Sequence, residues 1–255
     1  MDDPEPVSLP KRHSMKRVAD EHVTENEKAS GRPEIRKNLQ RDIPTEIPVT
    51  YALLSGSTTE ETTRAYTEVF VNDEPMTHRH HIDPDTFLCH ARGYIRFCAD
   101  TQQSFIACAP LNGECAGFIL CSDLATDFSC LGAEMATFLA FFPASVAIID
   151  ALEDAFQDME HIARGDTLHV FQLGVRRSYR NQSIATNPIH RVLFHAKEQG
   201  FRHIVADCTG PVSRHTFERC GFIEHGHIPY DTFSTGNCMF FAGLPGGISL
   251  MVQDL

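Results

Sequence analysis

The sequence of 255 residues predicts an α/β (α+β) protein with a mixed sheet and helices on its faces. Three observations predict this class. Short β-rich apolar runs alternate with segments whose apolar residues recur at helical spacing. Two such runs, residues 104–109 and 115–121, are separated by a Pro-Leu-Asn-Gly-Glu turn typical of an antiparallel hairpin. The order of elements, β-α-α-β-β-insert-β-α-β-α-β-β, fits a sheet covered by helices.

The first half of the chain contains a strand and two helices before the hairpin. Tyr51–Leu54 is predicted as the first strand. Thr59–Phe70 begins with a capping Thr and early acids and is predicted as a helix. The His-rich sequence THRHHIDPD is predicted as a loop, and Phe87–Cys98 as a second helix. After the hairpin, residues 122–166 are predicted as a helical insert, with AIIDALEDAFQDME as its clearest piece.

The second half alternates strands and helices. Predicted strands are Thr167–Val175, His203–Cys208, Phe222–Ile228 and Cys238–Leu244, with Ile248–Val252 as a candidate further strand. Predicted helices are Ile184–Gln199 and Val212–Cys220, closed by Gly200 and Gly221 respectively.

Composition excludes several classes of function. The formal net charge of −12 argues against general nucleic-acid binding, which needs a basic face. None of the 9 cysteines forms a C-x-x-C pair, so they are interpreted as free thiols in a reducing compartment. The most apolar stretch, Ala136–Ile149, is interrupted by Pro143 and is too short to span a bilayer. We therefore expect a cytoplasmic protein with no membrane or nucleic-acid partner.

The first 48 residues are polar and nearly without large apolar side chains, so we expect a flexible tail. The start, MDDPEPV, is acidic and lacks the apolar core of a signal peptide. Residues 11–17, KRHSMKR, fit either a nuclear-import or anionic-partner patch or a solvated run of charge.

Residues 173–185, LGVRRSYRNQSIA, join a predicted strand to a predicted helix. A helix N-terminus carries unpaired N–H groups and binds anions. Small side chains at Ser183 and Ala185 leave room for an anion, and Arg176, Arg177 and Arg180 supply positive charge. The segment therefore indicates a phosphate site, with an ordinary connection bearing solvated arginines as the alternative. Neither the P-loop nor the dinucleotide fingerprint is present.

This segment resembles the acetyl-CoA loop of the Gcn5-related N-acetyltransferase superfamily, whose pattern is [Q/R]-x-x-G-x-[G/A] after a strand. Arg180 fills the first position and Ala185 the last, while Ser183 stands where the central glycine belongs. Residues 206–222, ADCTGPVSRHTFERCGF, resemble the family's next strand and helix. Residues 68–77, EVFVNDEPMT, resemble the helix-end motif of the insect arylalkylamine N-acetyltransferases, and the resemblance covers about residues 50–255.

The resemblance implies a single domain over residues 49–255 with a mixed, mostly antiparallel central sheet, two splayed parallel strands and helices on both faces. It implies acetyl-CoA as co-substrate and an amine as acceptor, without a metal. Pantetheine is expected at the strand edge and pyrophosphate on the loop. The implied cofactor-binding residues are Leu173, Gly174, Val175, Arg180, Asn181, Gln182, Ser183, Ile184 and Ala185.

Three residues are candidates for acid–base roles in this resemblance. Glu74 matches the general base, and a solvated loop acid is its alternative. Ser213 matches a serine near the leaving thiolate, although helix capping accounts for it equally well. Tyr230 is a second candidate acid, with a core tyrosine as its alternative. Phe217 stands where many family members carry a tyrosine.

Two further features leave alternatives open. His78, His80, His81 and His90 could bind a metal with Asp83 or Asp85, but we interpret them as a solvated loop. The phenylalanines of the insert either roof an acceptor pocket or pack against the sheet. The expected function is an acetyl-CoA-dependent N-acetyltransferase acting on a small primary amine. A protein acetyltransferase, and an acyl-CoA-binding regulatory protein without catalysis, are the alternatives.

Overall fold

The computed structural model describes residues 48–126, 132–156 and 162–255. The predicted tail therefore lies outside the described residues except for Pro48. The strands, β1 to β7, are Thr50–Leu53, Phe105–Cys108, Cys115–Asp123, Thr167–Val175, His203–Cys208, Ile223–Pro229 and Gly247–Asp254. The helices, α1 to α7, are Thr59–Asp73, Pro75–Arg79, Pro84–Asp100, Gly132–Leu139, Pro143–Phe156, Thr186–Glu198 and Pro211–Arg219. Single turns of 3-10 helix lie at Gly56–Thr58 and Arg177–Tyr179.

The strands form one sheet in the order β1-β2-β3-β4-β5-β7-β6. The pair β4–β5 is parallel, and the other neighbouring pairs are antiparallel. The predicted hairpin is the β2–β3 pair. The predicted fold class, a mixed and mostly antiparallel sheet with helices, is confirmed.

The two parallel strands diverge towards their carboxyl ends. Thr167–Val170 of β4 pairs with residues 203–206 of β5. Beyond these pairs β4 stays paired with β3, and β5 stays paired with β7. The register between β3 and β4 skips Phe171, and such a bulge bends its strand. Residues 172–175 of β4 consequently lie beyond the last pair with β5, which is the splay that the sequence predicted.

Helices pack on both faces of the sheet because the strand side chains alternate between the faces. On one face, α1 and α3 bury a cluster that includes Tyr66, Phe87, Ile95, Phe118 and Leu120. On the opposite face, α6 and α7 bury a cluster that includes Leu168, Val170, Ile189, Val192 and Phe217. Helix α5 packs against the last strands through Ile148 and Leu152, which contact a cluster containing Val205 and Leu250.

The predicted strand Cys238–Leu244 is wrong. The segment runs through turns and contains one isolated bridge, between Thr235 and Cys238. Phe241 is 0% exposed and packs its ring against Tyr230 at 5.3 Å. Phe241 is thus buried without entering the sheet, and β7 takes the place beside β6.

Two predicted boundaries also change. Part of the predicted His-rich loop is the short helix α2, which Glu74 caps and Pro75 opens. Helix α6 begins at Thr186 rather than Ile184. Ser183, with a φ of 56°, lies in the loop before the helix.

The predicted insert contains α4 and α5, while residues 127–131 and 157–161 lie outside the described residues. Phe138 and Phe142 are buried against Phe87 of helix α3, so these phenylalanines pack in the interior, although the contact is with a helix and not with the sheet of the alternative interpretation. Among the described residues no single helix is long and apolar enough to cross a membrane. Helices α4 and α5 meet the length and composition test only as a pair, bent by 96°.

The cysteines of the described residues are free thiols. Most are buried, whereas Cys89 and Cys238 are exposed. Burial raises the pKa of Cys98 and Cys115 to about 12, so these thiols stay protonated at neutral pH.

Candidate active site

A cleft of about 780 Å³ opens where β4 and β5 diverge. One wall is the end of β4 and the loop that follows it. A second wall is the end of α1 with Glu74 and Pro75, and a third is residues 209–213 with the exposed side of α7. The cleft therefore lies at the carboxyl ends of splayed parallel strands, the place where open α/β sheets bind ligands.

Most predicted site residues line this cleft. They are Glu74, Leu173, Gly174, Val175, Arg180, Asn181, Ser183, Ile184, Ala185 and Ser213. Gln182 and Tyr230 are not among the lining residues. The residues predicted from the sequence thus come from four separate elements that meet at the cleft. Their individual roles stay predictions.

The loop between β4 and α6 contains two non-glycine residues in the left-handed region. Asn181 has a φ of 63° and Ser183 a φ of 56°. Asparagine tolerates this region, whereas serine adopts it at a cost of about 1–2 kcal/mol. Ser183 therefore keeps the backbone shape for which glycine is suited, and it adds a Cβ at the cleft surface.

The arginines of the loop do not present free positive charge, because each has an acidic partner on α1. Arg176 lies 3.0 Å from carboxylate oxygens of both Glu61 and Glu68. Arg177 and Arg180 both donate to Asp73. Burial alone would raise the pKa of Asp73, but the hydrogen bonds from Arg177 and Arg180 outweigh it and hold that pKa below its usual range. The positive charge predicted for Arg176, Arg177 and Arg180 is thus partly offset by these carboxylates, and their role in binding an anion stays a prediction.

Glu74 lies at the junction of α1 and α2 with its carboxylate at the cleft. As the N-cap of α2 it accepts hydrogen bonds from the amides of Met76, at 3.1 Å, and Thr77, at 2.6 Å. The Thr209 hydroxyl, at the end of β5, donates to Glu74 Oε1 at 2.7 Å. Three donors to the carboxylate fix the direction of the side chain. Glu74 is half-buried, not the solvated loop acid of the alternative interpretation.

The two candidate acids differ in access to the cleft. Ser213 lines the cleft in the first turn of α7, and its hydroxyl donates to the Gly210 carbonyl at 2.9 Å. Tyr230 is 0% exposed, and its hydroxyl donates to the Thr209 carbonyl at 2.7 Å. Burial, together with the charge of Glu74, raises the pKa of Tyr230. This geometry suits Tyr230 to holding the Thr209 backbone better than to donating a proton.

Sequence reasoning missed Thr209 and Asp73. Thr209 is a polar residue directly after a predicted strand, which was the available signal. Its contact with Glu74 joins residues 135 positions apart, and only the folded chain brings them together. Asp73, the neighbour of Glu74 in the sequence, anchors two loop arginines.

The remaining histidine candidates are spread over the fold. His80 donates or accepts at the Ser145 hydroxyl, 2.9 Å away, and its ring packs on Phe240. Burial lowers the pKa of His80, so it is neutral at physiological pH. Among the described residues, the predicted His-rich segment forms no group with metal-ligand spacing. His169 is instead buried beside Asp207, away from the cleft lining.

Residues 63–222 match the model of the acetyltransferase (GNAT) family. This match spans more than half of the chain, so the chain belongs to that family, and the predicted class of enzyme, an N-acetyltransferase, is confirmed.

Solved structures with the same fold include arylalkylamine N-acetyltransferases, the predicted branch. Arylalkylamine N-acetyltransferase 2 from Aedes aegypti is 17% identical, with a TM-score of 0.62 over 81% of this chain and 98% of that one. The putative arylalkylamine N-acetyltransferase 7 of the yellow fever mosquito is 18% identical, with a TM-score of 0.67 over 81% and 87%. The polyamine N-acetyltransferase of Drosophila melanogaster is 15% identical, with a TM-score of 0.64 over 82% and 100%. At these identities the similarity establishes the fold.

Proposed function

We propose that this protein transfers the acetyl group of acetyl-CoA to the primary amine of a small molecule. The observation that carries the proposal is the cleft between the diverged strands, which brings the loop after β4 and the fixed carboxylate of Glu74 together. Glu74 and the loop from Arg180 to Ala185 line the same cleft. The match to the acetyltransferase family supports acetyl-CoA as the donor.

The binding residues follow from the shape of the cleft. The edge of β4 at Leu173–Val175 is not covered by β5 and offers backbone groups to the amides of pantetheine. The loop up to Ala185 leads into the start of α6, whose unpaired amides favour pyrophosphate charge. Gly174 is buried against Phe118, and a Cβ there would lie 2.3 Å from the ring. A side chain at Gly174 would therefore displace Phe118 beside the cleft.

The chemical steps assign a role to each reactive side chain. Glu74 accepts a proton from the acceptor ammonium, directly or through water. The free amine then attacks the thioester carbonyl, a C–N bond forms, and the C–S bond breaks. The attacking nitrogen loses its second proton as the C–S bond breaks, and the departing thiolate takes up that proton through solvent or through the Ser213 hydroxyl, which is left protonated. A thiol of pKa about 8.5 leaves without a strong acid. Backbone N–H groups near Val175 stabilise the oxyanion.

The test of this proposal has two stages on the full-length protein. Thermal unfolding with acetyl-CoA at about 100 times its dissociation constant is expected to raise the unfolding free energy by about 2.7 kcal/mol. A panel of small amines is then assayed for thiol release. Glu74→Gln is expected to lower kcat by about 10²–10⁴-fold. Asp85→Asn, an exposed carboxylate of α3, is the control and should leave the rate unchanged.

Each outcome of the test separates the alternatives. Binding of acetyl-CoA without amine-dependent thiol release would favour the regulatory protein without catalysis. Turnover that persists in Glu74→Gln would exclude Glu74 as the base while leaving the acetyltransferase in place. No stabilisation by acetyl-CoA at millimolar concentration would contradict the proposal.

A further inference from the structure

A second cluster of reactive side chains lies outside the cleft. Glu153 of α5, His169 of β4 and Asp207 of β5 each place a ligand atom within 4.8 Å of the others. The side chain of His169 is 0% exposed and that of Asp207 is 6% exposed, while Glu153 is half-buried. None of the three lines the cleft, and the proposed acetyl transfer does not use them.

Two atoms of this cluster are incompletely bonded. His169 Nε2 lies 2.8 Å from Asp207 Oδ2. The other nitrogen of the ring, His169 Nδ1, and the other oxygen, Asp207 Oδ1, are buried and have no hydrogen-bond partner among the described residues. A buried polar atom without a partner costs about 1–3 kcal/mol. Asp207 Oδ1 thus offers an unused ligand position beside the His169–Asp207 pair.

The charge of the cluster indicates the sign of that ligand. Asp150 and Asp154 are exposed on α5, three residues before Glu153 and one residue after it. With Asp207 and Glu153 they are four carboxylates in this region, of which Asp207 and Glu153 adjoin the imidazole of His169. Within the described part of the chain, no lysine or arginine forms an ion pair with any of these four carboxylates. A cation is therefore the ligand that electrostatics favours.

We propose that Glu153, His169 and Asp207 bind a divalent transition-metal ion of the Zn²⁺ or Mn²⁺ type. One imidazole nitrogen and two carboxylate oxygens are ligands that these ions accept, whereas Ca²⁺ and Mg²⁺ prefer oxygen alone. Zinc lies about 2.0–2.2 Å from such ligands, so two ligands of one ion are about 3.0–3.5 Å apart. The His169–Asp207 pair needs to open by only a few tenths of an ångström. The longer, half-buried side chain of Glu153 closes the remaining distance.

The position of the site gives it a structural role. His169 pairs with Val205 in the last stretch before β4 and β5 diverge. An ion bound to both strands and to Glu153 ties the helix α5 of the insert to the base of the splay. Ion binding is therefore expected to stabilise the folded protein, and it supplies no group to acetyl transfer. The inference stands independently of the proposed function.

The experiment uses the full-length protein after dialysis against EDTA. Titration with ZnCl₂, followed by calorimetry and thermal unfolding, is expected to show one bound ion and a rise in Tm of a few degrees at about 100 times the Kd. Glu153→Gln removes one ligand at a half-buried position and should weaken binding by at least about tenfold. Asp154→Asn, the next residue on α5, is the matched control and should change the Kd by less than about threefold.

The absorption spectrum of bound Co²⁺ is a second measurement. It is needed because cysteines also bind these ions. The expected Co²⁺ spectrum has ligand-field bands and lacks a thiolate charge-transfer band. A thiolate band that persists in Glu153→Gln would place the ion on cysteines and overturn the proposal. Absence of stoichiometric binding would also overturn the proposal, and so would an equal loss of metal affinity in Glu153→Gln and Asp154→Asn. Stabilisation by putrescine but not by metal, lost in Glu153→Gln, would reassign the cluster to an organic cation.

Discussion

Ser183 stores backbone strain at the surface of the cleft. Its φ of 56° is a conformation that glycine adopts without cost and serine does not. Ser183→Gly is therefore expected to raise the free energy of unfolding by about 0.5–1 kcal/mol, after the extra entropy of a glycine in the unfolded chain is subtracted. The expected rise in Tm is about 1–4 °C for a domain of this size, measurable by calorimetry.

The control for this prediction is Ser183→Ala, which removes the hydroxyl and keeps the Cβ. Alanine has the same steric conflict at positive φ, so no gain in Tm is expected from it. An equal gain in both variants would show that the hydroxyl, not the backbone, is the source of the effect. Binding of acetyl-CoA by Ser183→Gly should be at least as tight as by the natural chain, because less side chain lies at the cleft surface.

At the residue scale, the sequence predicted which residues line the cleft better than it predicted which residues contact each other. Ten of the twelve predicted site residues line the cleft. Motif spacing places residues along the chain, and the strand-to-helix order then places them at one edge of the sheet. Spacing carries no information on contacts between distant segments. For this reason the pairing of Asp73 with two loop arginines, and the cluster around His169, were not predicted.

At the scale of elements, Thr209 connects the end of β5 to the start of α2. Its hydroxyl donates to Glu74, and its carbonyl accepts from Tyr230. We expect Thr209→Val, which keeps the shape and removes the donor, to lower kcat by about tenfold or more with little change in KM. The expected loss corresponds to a hydrogen bond to a charged group, about 1.5–3 kcal/mol. Steady-state kinetics of the amine-dependent reaction measures it.

Thr209→Ser restores the donor and is the rescue variant for this prediction. The kcat of Thr209→Ser should lie near that of the natural chain. An unchanged Tm in both variants would show that β5 and α2 remain in place. A valine variant with full kcat would mean that the two backbone donors of α2 suffice to hold Glu74. If Thr209→Val lowers kcat further in a chain that already carries Glu74→Gln, Thr209 affects the reaction independently of Glu74.

The elements themselves were predictable where periodicity was strong. Strand β4 and helix α1 have the predicted starts, since apolar alternation and an N-terminal cap give local signals. Cys238–Leu244 misled the prediction because an apolar run is compatible with any buried conformation. Its Phe241 satisfies burial through contact with Tyr230 in a turn. The parallel partnership of β4 and β5 depended on the family resemblance, because composition alone does not specify strand order.

At the scale of the whole molecule, acid is expected to loosen the contact between α1 and the loop after β4. This contact consists of Asp73 with Arg177 and Arg180. The pKa of Asp73 is lower in the folded protein than in the unfolded chain. Its ion pairs therefore stabilise the fold fully at pH values above the pKa that Asp73 has in the unfolded chain. That contribution is lost as pH falls through the lower, folded-state pKa. Neutral pH is therefore the condition in which the contact is complete.

Asp73→Asn tests this account through the pH dependence of stability. At pH 7 the variant should be less stable than the natural chain by about 1 kcal/mol, because Arg177 is largely exposed and its pairing is weakened by solvent. The difference should shrink as the pH is lowered and vanish once Asp73 is protonated in both states. Urea unfolding between pH 7 and pH 3 measures it, with Asp85→Asn as the exposed control. A difference that stays constant over this range would assign the effect of Asp73 to packing instead of charge.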